Sequence, residues 1–215
     1  MRSRVRSALL VSFMATAAFA SASVFAQAAG NPDKGKNLAN TCLGCHGVPG
    51  YKNAYPNYSV PKLEGQHPEY IVIALQAYRS GERSHLTMHS QASSLSDQDM
   101  ADIAAYFSGE VVSKDNNPAE GKAPEAAQVC VACHGENGVG ITGQYPTLAG
   151  QHADYLERAL HDYRKGGRKN AIMSTFAGQI KEEDIRTLAK FYAQQKPTLE
   201  TETRPSSILT MSDKH

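Results

Sequence analysis

The chain has 215 residues, 41% of them hydrophobic and 20% charged, and its 22 lysines and arginines nearly balance 21 aspartates and glutamates. So even a balance argues against a nucleic-acid-binding protein, which needs a basic surface. The first 26 residues read as a secretory leader: Arg2, Arg4 and Arg6, an apolar run from Ala8 to Ala20, then Val24-Phe25-Ala26 ahead of Gln27. The run is too short for a bilayer span, which takes about 20 residues, so cleavage after Ala26 and an exported, soluble product are expected. The mature chain then carries 19 basic against 21 acidic residues.

In chain order, the first chemistry comes at "TCLGCHGVPG", residues 41–50, where Cys42 and Cys45 are followed directly by His46. A loop rich in tyrosine (Tyr51, Tyr55, Tyr58) follows. Pro68 opens a predicted helix with Ile71, Leu75 and Tyr78 on one face, stopped by Gly81. Met88 comes next, on a stretch that reads as irregular. A second helix begins at Ser96, which suits the first-turn N–H groups, with Asp97 and Asp99 at the positive end of the helix. Met100, Ile103, Ala104 and Phe107 form its inner face, and Gly109 ends it. The polar joint "SKDNNPAEGKAPE", residues 113–125, leads into the second half.

That half repeats the first. "VCVACHGENG", residues 129–138, supplies Cys130, Cys133 and His134, and residues 145–173 lie over 60–88 without a gap. The offset is 85 in that block and 88 at the cysteines, so the first copy has three additional residues in its tyrosine-rich loop. Tyr155, Leu156, Ala159, Leu160 and Tyr163 precede Gly166, and Ile185, Leu188 and Phe191 mark the last helix. Arg164, Lys165, Arg168 and Lys169 form a basic cluster, read as a solvated helix end that could also dock a partner in a salt-sensitive way. Units of about 80 residues with a few short helices bury too little apolar area to be secure alone. Something other than side chains is expected to fill each core.

Three uses of four cysteines compete in an exported protein: disulfides, a redox or zinc pair, and covalent haem attachment. The histidine after each Cys-x-x-Cys decides for haem, because neither a disulfide nor a dithiol needs it twice. Cys42, Cys45, Cys130 and Cys133 are then thioether positions, and His46 and His134 proximal iron ligands. The sixth ligand separates electron carriage, where methionine closes the site, from chemistry at an open iron. Met88 and Met173 stand 46 and 43 residues after the first cysteine of their motifs. Methionine is often only core filler, but Met100 falls on a helix face and Met211 in the polar tail. His85 and His89 are replaced by Asn170 and Ser174 in the second copy. His67 and His152 do recur, in "GQH", and remain rival ligands, although their place ahead of the long helices reads as loop or surface.

These motifs, with "PKLEGQH" and "PTLAGQH", "AYRSGER" and "DYRKGGR", "LSDQDMADIAAYFS" and "IKEEDIRTLAKFYAQQ", resemble the dihaem class I cytochromes c of the cytochrome c4 family over roughly residues 31–196. The resemblance implies an all-α protein of two tandem class I cytochrome c domains related by a pseudo-twofold axis, at residues 27–113 and 114–196. Residues 197–215 depart from the family pattern, and their polar sequence past the last helix reads as a disordered tail. The resemblance also implies two covalently bound haem c groups and a periplasmic carrier, free or membrane-associated, between a quinol-oxidising donor and a terminal oxidase or other reductase. It implies no small-molecule substrate. Two alternatives stay open: the electron-accepting subunit of a periplasmic dehydrogenase, and a dihaem peroxidase, which the near-equality of the two copies disfavours.

Overall fold

The structure is a computed structural model that describes residues 29–109, 118–196 and 199–203. The leader, residues 113–117 of the joint and the end of the tail lie outside these. The described residues form helices and turns, with isolated bridges in place of a sheet.

In the first domain α1 (Pro32–Leu38), α2 (Leu43–His46), α3 (Pro68–Ser80), α4 (Leu86–Ser93) and α5 (Asp97–Ser108) follow one another. The two long helices lie where periodicity and stop signals predict. Gly81 takes the left-handed conformation behind α3, at φ 78°. Ser96 and Asp99 form a reciprocal capping box at the start of α5. Helix α1 was not foreseen: Asn31 caps it by accepting from Lys34 N–H, and Pro32 sits at its first turn. It crosses α5 so closely that a Cβ on Gly35 would lie 1.9 Å from the Asp102 carbonyl oxygen.

The second domain comprises α6 (Gln128–His134), α7 (Ala153–Lys165), α8 (Ala171–Gln179) and α9 (Glu182–Ala193), with a 3-10 turn at Glu125–Ala127. Where the first domain has α1, this one runs in turns, and the buried Gln195 side chain ties them down by accepting from Glu120 N–H and donating to its carbonyl. Each domain has its own small core. Ile71, Leu75, Met100, Ile103 and Phe107 belong to one; Leu156, Ile185, Leu188, Phe191 and Tyr192 belong to the other.

The domains meet through reciprocal polar contacts. Gln66 donates to the Thr147 carbonyl at 3.0 Å and accepts from its N–H at 2.9 Å, while Gln151 does the same with Lys62, both at 3.0 Å. Arg83 and Arg168 face each other in an antiparallel bridge, flanked by Ser84 N–H donating to Gly167 and Lys169 N–H to Glu82. The first domain's tyrosine-rich loop adds an unsymmetrical clasp. The Asp154 carboxylate takes Lys52 Nζ, Ser59 N–H and the Ser59 hydroxyl at 3.1, 3.0 and 2.9 Å.

Two expectations change here. The tail is not wholly without structure: Leu199 is fully buried, Glu200 bridges to Glu64, and Glu202 accepts from the Tyr106 hydroxyl at 2.7 Å. The basic cluster is a solvated helix end in all but one residue. Arg168 is buried between the domains, whereas Arg164, in a surface pair with Glu182, and Lys165 and Lys169 are exposed. The sequence shows the cluster's charge but not the first domain, whose residues 82–84 meet 167–169 and cover Arg168.

Candidate functional site

Both Cys-x-x-Cys-His motifs fold as short helices, which puts each histidine one turn after the first cysteine of its motif, on the same face. The four thiols are free of disulfides, and burial pushes those of Cys42 and Cys130 above the ordinary thiol range. His46 Nδ1 is 2.8 Å from the Pro61 carbonyl, and His134 Nδ1 is 2.8 Å from that of Pro146. A carbonyl can only accept, so Nδ1 carries the proton and Nε2 keeps its lone pair. Burial holds both imidazoles below their usual value despite these carbonyls, which keeps them neutral. A neutral ring oriented through its far nitrogen is how a protein prepares a metal-ligating histidine.

The methionines stand on short helices, not on irregular chain. Met88 lies in the first turn of α4 and Met173 in that of α8. His85 Nδ1 accepts from Met88 N–H, and Asn170 Oδ1 accepts from Met173 N–H. The exchange of His85 for Asn170 therefore preserves one function, capping the turn that carries the methionine. Of the rival ligands, His67 is buried, with Nε2 3.1 Å from the Gly140 carbonyl of the other domain. It is an interdomain group and not a surface one. His152 is half-buried at the start of α7.

A cavity of about 1050 Å3 extends through both domains. It is lined by all four cysteines, His46, His134, Met88 and Met173, and by apolar side chains including Leu75, Phe107, Leu156 and Leu188. Its lining divides between the domains, with one Cys-x-x-Cys-His motif and one methionine from each. Paired thiols, an oriented histidine and a methionine facing an apolar slot, once per domain, fit one haem c each.

The seam side of the cavity is charged. Arg83 and Arg168 are each 6% exposed. Arg83 stacks over Tyr70 and Tyr78, and Arg168 over Tyr155 and Tyr163, at 4.9–5.8 Å from the ring centres. Burial pushes the Tyr155 phenol up, but the two guanidiniums outweigh it and hold it below its usual value. Burial raises Tyr70, with Arg83 opposing.

These features define a two-domain, covalent-haem protein. The protein-family model for cytochrome c matches residues 32–109 and again 118–196. Cytochrome c4 of Pseudomonas aeruginosa is 37% identical over 199 residues, 85% of this chain and 96% of its own. The thiosulfate dehydrogenase electron acceptor of Stutzerimonas stutzeri is 32% identical over 212 residues, 89% and 94% of the two chains. The crystal structure of reduced recombinant cytochrome c4 from Pseudomonas stutzeri aligns at a TM-score of 0.61 and 32% identity, covering 78% of this chain and 100% of that one. The chain belongs to the cytochrome c family as a dihaem cytochrome of the c4 type. It is an electron-transfer protein that carries two covalently bound haem c groups and works with redox-protein partners.

Proposed function

We propose that the protein is a periplasmic electron shuttle with two six-coordinate haems. Thioethers at Cys42 and Cys45 and at Cys130 and Cys133 would hold the groups, with iron between His46 and Met88 in one domain and between His134 and Met173 in the other. Bound haem supplies a one-electron ferric/ferrous couple. The carrying observation is the duplicated donor geometry: each histidine has Nδ1 tied to a proline carbonyl, and each methionine lies on a capped first turn lining the same cavity. With both ligands supplied by anchored backbone, little rearrangement accompanies electron gain. Periplasmic location rests on the leader, residues 1–26; among the described residues no helix is long and apolar enough to cross a membrane.

The far-red charge-transfer band of methionine sulfur on ferric haem, measured against haem content, tests the ligands. Two haems with two-haem band intensity are expected, and half intensity in Met88→Ala and in Met173→Ala. Ready binding of carbon monoxide by the native ferrous protein would mean an open iron and would sink the carrier reading.

A second reading, the electron-accepting subunit of a dehydrogenase, is favoured by the relative named a thiosulfate dehydrogenase electron acceptor. Stable co-purification with a dehydrogenase would support it, whereas an isolated, fully competent carrier would count against it.

A further inference from the structure

The tyrosine-rich loop of the first domain brings one amide to the cavity beside the residues already described. Asn53 lines the cavity together with His85 and Met88. Its Nδ2 donates to the Tyr58 carbonyl at 3.2 Å, and a carbonyl can only accept, so the amide nitrogen lies on that side and Oδ1 on the other. Oδ1 is 3.2 Å from His85 Nε2. On the other edge of the ring, Nδ1 accepts from Met88 N–H at 3.2 Å, which only a nitrogen without a proton can do. The proton of the neutral imidazole is therefore on Nε2 and is donated to Asn53 Oδ1. The Tyr78 ring meets His85 edge to face, with 6.4 Å between centres, and packs it in this orientation.

The loop is a firm support. Asn53 N–H also donates to the Tyr58 carbonyl at 2.9 Å, Lys52 bridges to Ser59, and both of these hold Asp154 of the second domain. The second copy dispenses with the arrangement. Asn170 Oδ1 accepts directly from Met173 N–H at 2.9 Å. An amide oxygen is always an acceptor, whereas imidazole Nδ1 accepts in only one of its two neutral tautomers. Across the repeat offsets of 85 to 88, position 53 falls within residues 138–141, Gly-Val-Gly-Ile, none of which has a hydrogen-bonding side chain. The copy whose cap depends on a tautomer is thus the copy with a residue that selects it.

We infer that Asn53 is a positioning residue for the first iron: it holds His85 in the tautomer that caps the turn carrying Met88, and so steadies the methionine of the first haem alone. This rests on Met88 being the sixth ligand. Without Oδ1 the ring is free to take the Nδ1–H tautomer, which turns a proton toward Met88 N–H and uncaps the turn. One neutral hydrogen bond weighs roughly fivefold in an equilibrium. Methionine ligation raises the potential of a haem, so a loosened Met88 lowers it.

The test uses the full dihaem protein, with amide exchange and ring nitrogens read by NMR in the ferrous state and the two midpoints by potentiometry. The wild-type far-red methionine band is measured first. Below two-haem intensity the ligand reading falls and this proposal with it; at full intensity the variants decide the proposal alone. Asn53→Ala is expected to speed exchange of the Met88 amide roughly fivefold and to lower the first midpoint, with the Met173 amide and the second midpoint unchanged. In a His85→Asn background, which gives the first domain the cap of the second, the same Asn53→Ala change should move neither. Equal effects in both backgrounds would show that Asn53 only braces its own loop and would overturn the proposal, as would no effect in either. If Asn53→Ala does not retain two haems, the wild-type ring decides: a proton on Nε2 with Nδ1 bare supports the proposal, and a proton on Nδ1 overturns it.

Discussion

Replacing Gln66 by alanine should uncouple the two domains more than the same change at Gln151. Both amides make the same reciprocal contacts with the opposite domain, yet their surroundings differ. Gln66 is 5% exposed and its partner Thr147 3%. Its Oε1 also accepts from His67 N–H, so truncation strips the Thr147 N–H, the Thr147 carbonyl and the His67 N–H of one shared partner. A neutral hydrogen bond contributes about 1 kcal/mol net, and a buried group left unsatisfied costs about 1–3 kcal/mol. Even with partial relaxation the loss comes to about 2–4 kcal/mol. Gln151 is itself buried, but Lys62 and His152 are half-buried and can turn to water, which limits its loss to about 1–2 kcal/mol. Gln66→Glu should be worse than alanine at neutral pH, because a carboxylate oxygen then faces the Thr147 carbonyl. The assay is guanidinium denaturation of the dihaem protein followed at the haem absorption of each domain. Gln66→Ala should split or broaden the transition, while Gln151→Ala should move it modestly. Equal effects at the two positions, or changes below about 0.5 kcal/mol at both, would refute the claim that burial of the partner sets the strength of the seam.

Other predictions follow from the same contacts. Burial pushes the Asp154 carboxyl up, but its bonds from Lys52 and Ser59 outweigh that and hold it below its ordinary value of 3.8. A depressed carboxyl stabilises the fold above the unfolded value and loses that contribution as pH falls through the folded one. The stability gap between wild type and Asp154→Ala should therefore be constant near neutrality and close below about pH 3.8. Most of that gap should reside in the Ser59 bonds, since Ser59 is buried and the Lys52 pair is largely exposed; a double-mutant cycle separates the two. Gly35→Ala should destabilise the first domain by about 1–3 kcal/mol, because the methyl meets a backbone carbonyl on α5 that cannot move alone. Gly178→Ala on α8 meets nothing within 4 Å and should stabilise by about 0.5–1 kcal/mol. Thermal denaturation checks both, and opposite signs are required.

What the sequence made legible was whatever repeats locally. The long helices α3, α5, α7 and α9 follow from apolar residues at helical spacing and from glycine stops, and the thiol and histidine positions follow from a contiguous motif. The short helices α4 and α8 escaped notice because they bury little along one face, and their decisive signal is a cap, His85 in one copy and Asn170 in the other. These two residues share no obvious chemistry until both are seen accepting from a methionine N–H. The "GQH" segments recur because glutamine spans the seam, whereas the sequence alone draws attention to the histidine beside it. Arg168 looks like part of an exposed basic run for the same reason: its covering surface comes from residues 85 positions earlier, which no local pattern can announce.

The tail sets a last test of how far buried area converts into stability. Leu199 is fully buried, and residues 199–203 add a backbone bond from Glu200 to Glu64 and one side-chain bond to Tyr106. Burying a leucine contributes about 1.5–3 kcal/mol, and the two hydrogen bonds add about 1 kcal/mol each. Ordering five backbone residues costs about 1 kcal/mol apiece even at the low end. The strap is thus close to balance, and the chain can lose no more than its small net contribution by letting go. Leu199→Ala should consequently cost much less than the 2–5 kcal/mol typical of a buried leucine, and nearly the same as truncation after Lys196. Denaturant midpoints of the two variants decide it. If Leu199→Ala proves far more destabilising than removing the whole tail, the strap does not detach as a unit, and Leu199 must be counted as core of the domain it covers.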